Sequence, residues 1–279
     1  MNIDNFIKQA FQEDLGDGDH TSLACFSKST IGTANLISKD TGVIAGIELA
    51  KKIVHLYDSS IIITSYFNDG DTVKHGDLIL KLEGSAQSIL SIERLMLNCM
   101  QRMSGIASQT RQIVDLVKDT GVKLLDTRKT TPGFRGIEKW AVRIGGGVNH
   151  RFGLYDMVMI KDNHIDFSGG IKNAINSVNK YLLDQNKKLK VEIEVRNIKE
   201  LEEVISHGGI DRILFDNFTP AKLTEGLSKV SESIETEASG GITKETIRDY
   251  ALTGVEYISV GALTHSYTSL DMSLKVAIT

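Results

Sequence analysis

Six short apolar runs recur between residues 122 and 261, with gaps between them that leave room for helices. They read "VKLLD", "DMVMI", "VEIEV", "RILFD", "IETEA" and "YISVG". Several gaps carry helical periodicity, as in "IKELEEVISHGG" and "TKETIRDYALTG". Apolar strands alternating with helices imply parallel pairing, because each crossover helix returns the chain to the same end of the sheet. No dinucleotide fingerprint opens the first unit, which favours a barrel over an open doubly wound sheet. The expected class is α/β, with an α/β barrel and its catalytic mouth spanning 111–265.

Before residue 110 the pattern differs. "TANLISKD", "GVIAGIE", "SIIITSYF" and "TVKHGDLILKLEG" read as short strands, punctuated by Gly70, Gly76 and Gly84. Ile3, Phe6, Ile7, Ala10 and Phe11 recur at helical spacing ahead of a stop at Gly16. Residues 85–119 read as one long helix or two end to end. Residues 1–110 thus form a separate α/β part.

A net charge of −4 argues against nucleic acid as a partner, since such binders carry a basic face. No run approaches the ~20 apolar residues of a membrane span. The N-terminus has no basic region followed by an apolar stretch. Cys25 and Cys99 have neither metal nor redox spacing, which fits a reducing cytoplasm.

Against this mildly acidic background, "TRKTTPGFRGIEKWAVRIGGGVNHR" gathers Arg128, Lys129, Arg135, Lys139, Arg143, Arg151 and His150, with Glu138 the sole acid. An anionic ligand is the natural counterpart. The residues at or just after the six runs are equally charged or glycine-rich: Arg128 and Lys129, Lys161, Glu194, Asp216, Ser239-Gly240-Gly241, and Gly261. In a β/α barrel these positions converge on one mouth. Each also has a plainer reading. Lys161 could pair with Asp162, Asp216 could cap the next helix, and His150 could be a satisfied polar residue. Glu192 and Glu194 share one side of their strand, and Glu194 lies nearer its end. Packing alone does not account for such ends on all six runs. The glycines of "EASGGIT" and "SVGAL" bring backbone N–H groups to the last two strand ends, the usual place for a phosphate cradle. The mouth would hold a phosphate nest, two carboxylates suited to a divalent metal or a cationic transition state, and a cationic wall. Its ligands would be a phosphorylated sugar and a polyanionic small molecule.

"EDLGDGDHTS", "DTRKTTPGFRGIEKWAVRIGGGVNHRFGLYDMVMIKDNHI", "ILFDNFTP", "EASGGIT" and "YISVGALTHS" resemble the quinolinate phosphoribosyltransferase family, the carboxylating nicotinate-nucleotide pyrophosphorylases. The match runs in order from Glu13 to about Lys275. The resemblance implies a transferase of NAD biosynthesis that makes nicotinate mononucleotide, pyrophosphate and CO2 from quinolinate and phosphoribosyl pyrophosphate with Mg2+. It also implies an N-terminal α/β sandwich, an incomplete parallel barrel, and a homodimer in which one sandwich covers its partner's mouth. The tail 266–279 would pack on the sandwich.

By motif match, Thr127, Arg128, His150 and Arg151 would hold quinolinate, joined by Arg94 of a neighbouring subunit. Lys129 and Lys161 would bridge substrate and phosphates. Glu194 and Asp216 would face the ribose and Mg2+. Ser239, Gly240, Gly241, Gly261 and Ala262 would take the 5′-phosphate. Arg196 departs from the family pattern, standing where relatives often have an acidic or small polar residue. Two alternatives are a type II paralogue with another acceptor and a barrel aldolase using Lys161 as a Schiff base.

Overall fold

The structure, a computed structural model, describes residues 2–277. The chain divides into two compact units: residues 1–111, 130–146 and 263–279 form one, and residues 112–129 and 147–262 the other. The segment 130–146, placed in the barrel by the sequence reading, therefore lies with the first unit. The final two residues of the expected 266–279 tail fall outside the described range.

The first unit opens with α1 (Ile3–Leu15) and α2 (His20–Cys25), capped by the Asn2 and Asp19 side chains. Gly16 ends α1, as its position predicts. Then come β1 (Ile31–Ser38), β2 (Gly42–Val43), α3 (Ile47–Tyr57), β3 (Ile62–Ser65), β4 (Thr72–Val73) and β5 (Leu78–Ser85). A single helix, α4 (Ala86–Val117), fills the long periodic stretch. Strand β1 pairs antiparallel with β5 and with the C-terminal strand β12 (Met272–Val276), and β3 closes the four-stranded order β12-β1-β5-β3.

Two local readings are corrected. "GVIAGIE" is only briefly a strand, because Gly46 turns the chain and the Asp69 carboxylate accepts from the Ile47 N–H at the start of α3. Gly84 lies inside β5 rather than in a turn.

The second unit contains the six expected parallel strands. Between β6 (Lys123–Leu125) and β7 (Val158–Ile160) the chain passes through α5 (Arg135–Ile144) of the first unit. It continues through α6 (Asp162–Phe167), α7 (Ile171–Asp184), β8 (Val191–Val195), α8 (Ile198–His207), β9 (Arg212–Asp216), α9 (Pro220–Leu227), β10 (Glu235–Ser239), α10 (Ile247–Ala251) and β11 (Tyr257–Ser259). The short helix α11 (Ala262–His265) follows. The strand order β6-β11-β10-β9-β8-β7 is the cyclic order of a barrel opened between its first two strands. A parallel bridge from Leu125 to Val148 extends the β6 edge at that opening.

Strand alternation explains the barrel's two faces. Ile193, Val195, Ile213 and Phe215 are wholly buried. Phe215 packs beside Gly226 of α9, where a Cβ would lie only 2.7 Å from its ring. The alternate positions supply the polar residues of the mouth.

Candidate active site

The carboxyl ends of the six strands surround a cavity of about 420 Å³. Thr127, Arg128 and Lys129 line it just beyond β6, and Lys161, Glu194, Asp216 and Ser239 line it from the next four strand ends. His150 and Arg151 enter from the segment before β7. These nine expected positions therefore meet in one cavity. Gly240 and Gly241 follow Ser239 directly, and Gly261 and Ala262 follow β11; none of the four is a lining residue. Arg94 is exposed on α4, in the first unit.

The cationic stretch divides. Arg135, Lys139 and Arg143 recur every four residues on α5, in the first unit, and Lys139 is buried there. Arg135 Nε donates to Thr130 Oγ1 at 2.8 Å. Only Arg128, Lys129 and Arg151, with His150, line the cavity. Sequence proximity overstated the cationic wall because it does not say on which element a side chain ends up.

Two charge patterns govern the mouth. Lys161 Nζ lies 2.8 Å from Glu194 Oε2, and the lysine side chain is 45% exposed against 10% for the glutamate. Lys161 therefore pairs across to β8, not with Asp162. Burial and the charge of Glu194 both push the Asp216 pKa up, opposed by the Asn217 side-chain N–H on Asp216 Oδ2 at 2.7 Å. Thr219, not Asp216, caps α9. On the cationic side, burial and then the charge of Arg128 lower the Arg151 pKa. A guanidinium whose charged form is disfavoured by burial and by a neighbouring cation is one that a bound anion would relieve. Arg196 pairs with Glu200 and Asp166 and does not line the cavity, so its charge is spent outside the mouth.

Met159, Leu214, Glu237 and Ser259 also line the cavity and were not anticipated. The signal was available: each of the first three stands two residues before an expected site residue on its strand, hence on the same face. Glu237 belongs to a buried polar group beneath the mouth. His150 Nε2 lies 3.1 Å from Glu192 Oε2 and 3.4 Å from Glu237 Oε2. Arg212 Nη1 donates to Glu237 Oε2 at 3.0 Å, and its guanidinium sits 4.3 Å over the Tyr257 ring. The choice between the two β8 glutamates is thereby resolved in position: Glu194 lines the cavity, and Glu192 is enclosed against His150.

Burial lowers the His150 pKa, but Glu192 and Glu237 outweigh it and would lift it to about 9. The Arg151 backbone N–H, aimed at His150 Nδ1 at 2.6 Å, opposes that second proton. Nδ1 therefore accepts and the carboxylates face a proton on Nε2, while burial and Glu237 drive the neighbouring Glu192 carboxyl up to about 7.

The chain matches two family models: the quinolinate phosphoribosyl transferase N-terminal domain over residues 19–104 and the C-terminal domain over residues 106–275. It is 44% identical to quinolinate phosphoribosyltransferase [decarboxylating] 1b of Nicotiana tabacum, over 97% of this chain and 81% of that one. It is 41% identical to the probable nicotinate-nucleotide pyrophosphorylase [carboxylating] of Bacillus subtilis, over 100% and 94%. The crystal structure of NadC from Streptococcus pyogenes superposes with a TM-score of 0.93 at 37% identity, covering 99% of this chain and 96% of that one.

Proposed function

Since the chain belongs to the quinolinate phosphoribosyltransferase family, we infer that its mouth is where phosphoribosyl passes from phosphoribosyl pyrophosphate to quinolinate. The products are nicotinate mononucleotide, pyrophosphate and CO2, a step of NAD biosynthesis. The observation that carries this reading is the meeting of Arg128, Lys129 and Arg151 with Lys161, Glu194, Asp216 and Ser239 round one cavity.

Arg128 and Arg151 take the two quinolinate carboxylates, with Thr127 and His150 at the same end. The mutual repulsion of the two cations supports this, because dianionic substrate removes it. Lys129 and Lys161 lie between this end and the phosphates. Ser239, Gly240, Gly241, Gly261 and Ala262 take the 5′-phosphate; support comes from Gly241, whose φ of +62° and open surroundings leave room for an anion beside its backbone.

Glu194 and Asp216 fit a magnesium ion. Both are hard oxygen donors, and the Asp216 carboxyl is destabilised as an anion by burial and by Glu194, which a cation would offset. Bound there, Mg2+ supplies neutralisation of pyrophosphate charge. As the ribose bond to pyrophosphate loosens, the anomeric carbon becomes positive and the two carboxylates stabilise it. The quinolinate nitrogen then bonds to that carbon. Its ring becomes an electron sink, the C2 carboxylate departs as CO2 with its bonding pair left on the ring, and C2 then takes a proton from water to give nicotinate mononucleotide. Lys161, paired with Glu194 and 45% exposed, lacks the desolvated setting a Schiff-base aldolase needs.

Arg94, exposed on α4, would complete the mouth of a second copy in a homodimer whose sandwich covers its partner's barrel. Among the described residues no helix is long and apolar enough to cross a membrane. Two free thiols fit a cytoplasmic location. Pyrophosphate release compared between quinolinate and nicotinate as acceptors tests the reading. Turnover with quinolinate and none with nicotinate is expected; equal rates would contradict the dicarboxylate assignment.

A further inference from the structure

The polar group beneath the mouth is unusual for a barrel interior. Glu192 and Glu237 are both fully buried, and both face the imidazole of His150. Apolar residues of similar volume would fill the same space at no electrostatic cost, so this arrangement calls for a role beyond packing.

The orientation of His150 indicates that role. Its Nδ1 accepts the Arg151 N–H at 2.6 Å, and a nitrogen that carries a proton cannot accept. The ring proton therefore sits on Nε2, toward the two carboxylates. Both carboxylates lie within ion-pair distance of Nε2, so the attraction draws on both. Glu237 is itself fixed, because Arg212 Nη1 holds its Oε2 at 3.0 Å and Glu235 holds Arg212. On the other side, Asp126 clamps the same stretch of backbone, accepting from the His150 N–H at 2.8 Å and from Asn149 Nδ2 at 2.6 Å. The Arg151 N–H is thus held by the His150 ring, and the His150 main chain by Asp126. The Arg151 guanidinium is then steadied by the Met157 carbonyl at 3.1 Å.

His150, Glu192 and Glu237 could also be read as a buried metal set. The Nε2 proton argues against it. A metal on Nε2, with Nδ1 still accepting, would require a fully deprotonated ring, and the Arg212 guanidinium beside Glu237 adds repulsion.

We propose that Glu192 and Glu237 are positioning residues for quinolinate: they hold His150 as its Nε2–H tautomer, and His150 through Nδ1 fixes Arg151, which takes a substrate carboxylate. The proposal rests on the assignment of Arg151 to quinolinate. In it His150 acts through Arg151 and does not itself bind a carboxylate.

The test uses the full-length enzyme and its Glu192→Gln, Glu237→Gln and Glu237→Asp variants. For each, KM is measured separately for quinolinate and for phosphoribosyl pyrophosphate, alongside Tm. Nitrogen-15 shifts of His150 give the tautomer in the wild type. Both Gln variants should raise KM for quinolinate by about tenfold or more, the scale of a misplaced binding group, with KM for phosphoribosyl pyrophosphate little changed. Glu237→Asp should recover part of the loss, and wild-type Nδ1 should be unprotonated. A protonated Nδ1, a stoichiometric metal ion bound at His150, or Gln variants that move both KM values equally would overturn the proposal. If a Gln variant does not fold, the wild-type tautomer still decides. A wild type that fails to turn over quinolinate would instead sink the underlying assignment, whatever the tautomer.

Discussion

Replacing Gly240 and Gly241 separately by alanine should give two quite different enzymes, although the residues are adjacent. Both have positive φ, +95° and +62°, so each alanine carries a backbone cost of roughly 1–2 kcal/mol. At Gly241 nothing lies within 4 Å of the added Cβ, and that cost is the whole effect on stability. At Gly240 the Cβ would come within 2.7 Å of Asn217 Cγ and 2.8 Å of its backbone N. Asn217 cannot easily withdraw. Its N–H donates to the Ser239 carbonyl at 2.9 Å, its side chain holds Asp216, and its own φ is +55°. Overpacking of this kind adds about 1–3 kcal/mol, so Gly240→Ala should lose roughly 2–5 kcal/mol in all. It should also disturb Asp216. Urea unfolding gives the stabilities, and initial rates give KM for phosphoribosyl pyrophosphate. Gly241→Ala should unfold only slightly earlier yet bind the donor less well, because the methyl occupies the open space assigned to the 5′-phosphate. Equal stability losses in the two variants would refute the steric account of the loop. An unchanged donor KM in Gly241→Ala would refute the phosphate assignment.

Three further outcomes are expected. Arg128→Ala should abolish quinolinate turnover while far-UV circular dichroism and Tm stay close to wild type, since the side chain lines a cavity and not a core. Arg102→Met should lower stability by about 3–5 kcal/mol, the cost of stranding a buried carboxylate: it leaves Glu138, wholly buried, without the guanidinium that Phe134 and Tyr267 hold in place. Urea unfolding checks this. Asp119 is exposed, and the hydrogen bond from Arg248 holds its carboxyl down to about 2, from an ordinary 3.8. A depressed carboxyl stabilises the fold above its unfolded pKa and loses that contribution as pH falls. The difference between wild type and Asp119→Asn should therefore be present at neutral pH and vanish as pH drops through 3.8 toward 2, as followed by acid unfolding.

The barrel was legible because its strands are buried by helices on one side, which leaves apolar runs such as "RILFD" with a charged residue where the strand emerges. Those emerging residues marked the mouth. Reading only strand ends is also why Glu237 was missed: it stands one pleat below Ser239, on the same face, and its significance depends on His150, which is 87 residues away in sequence. Helix α3 was hidden for another reason. "GVIAGIE" alternates like a strand, and what makes the chain turn into a helix is Asp69, a capping group 22 residues further on. The basic stretch misled in a third way. Arg135, Lys139 and Arg143 share one face of α5, while Arg128 and Arg151 flank that helix in sequence and belong to the other unit. Charge density along a sequence does not distinguish these destinations.

The central claim is that one mouth joins the pyridine nitrogen to ribose and only then releases the C2 carboxylate. Quinolinate labelled at that carboxylate tests it directly. Labelled CO2 should appear in equal amount to pyrophosphate, and only when phosphoribosyl pyrophosphate is present. Label released without the donor, or pyrophosphate formed without labelled CO2, would contradict the account.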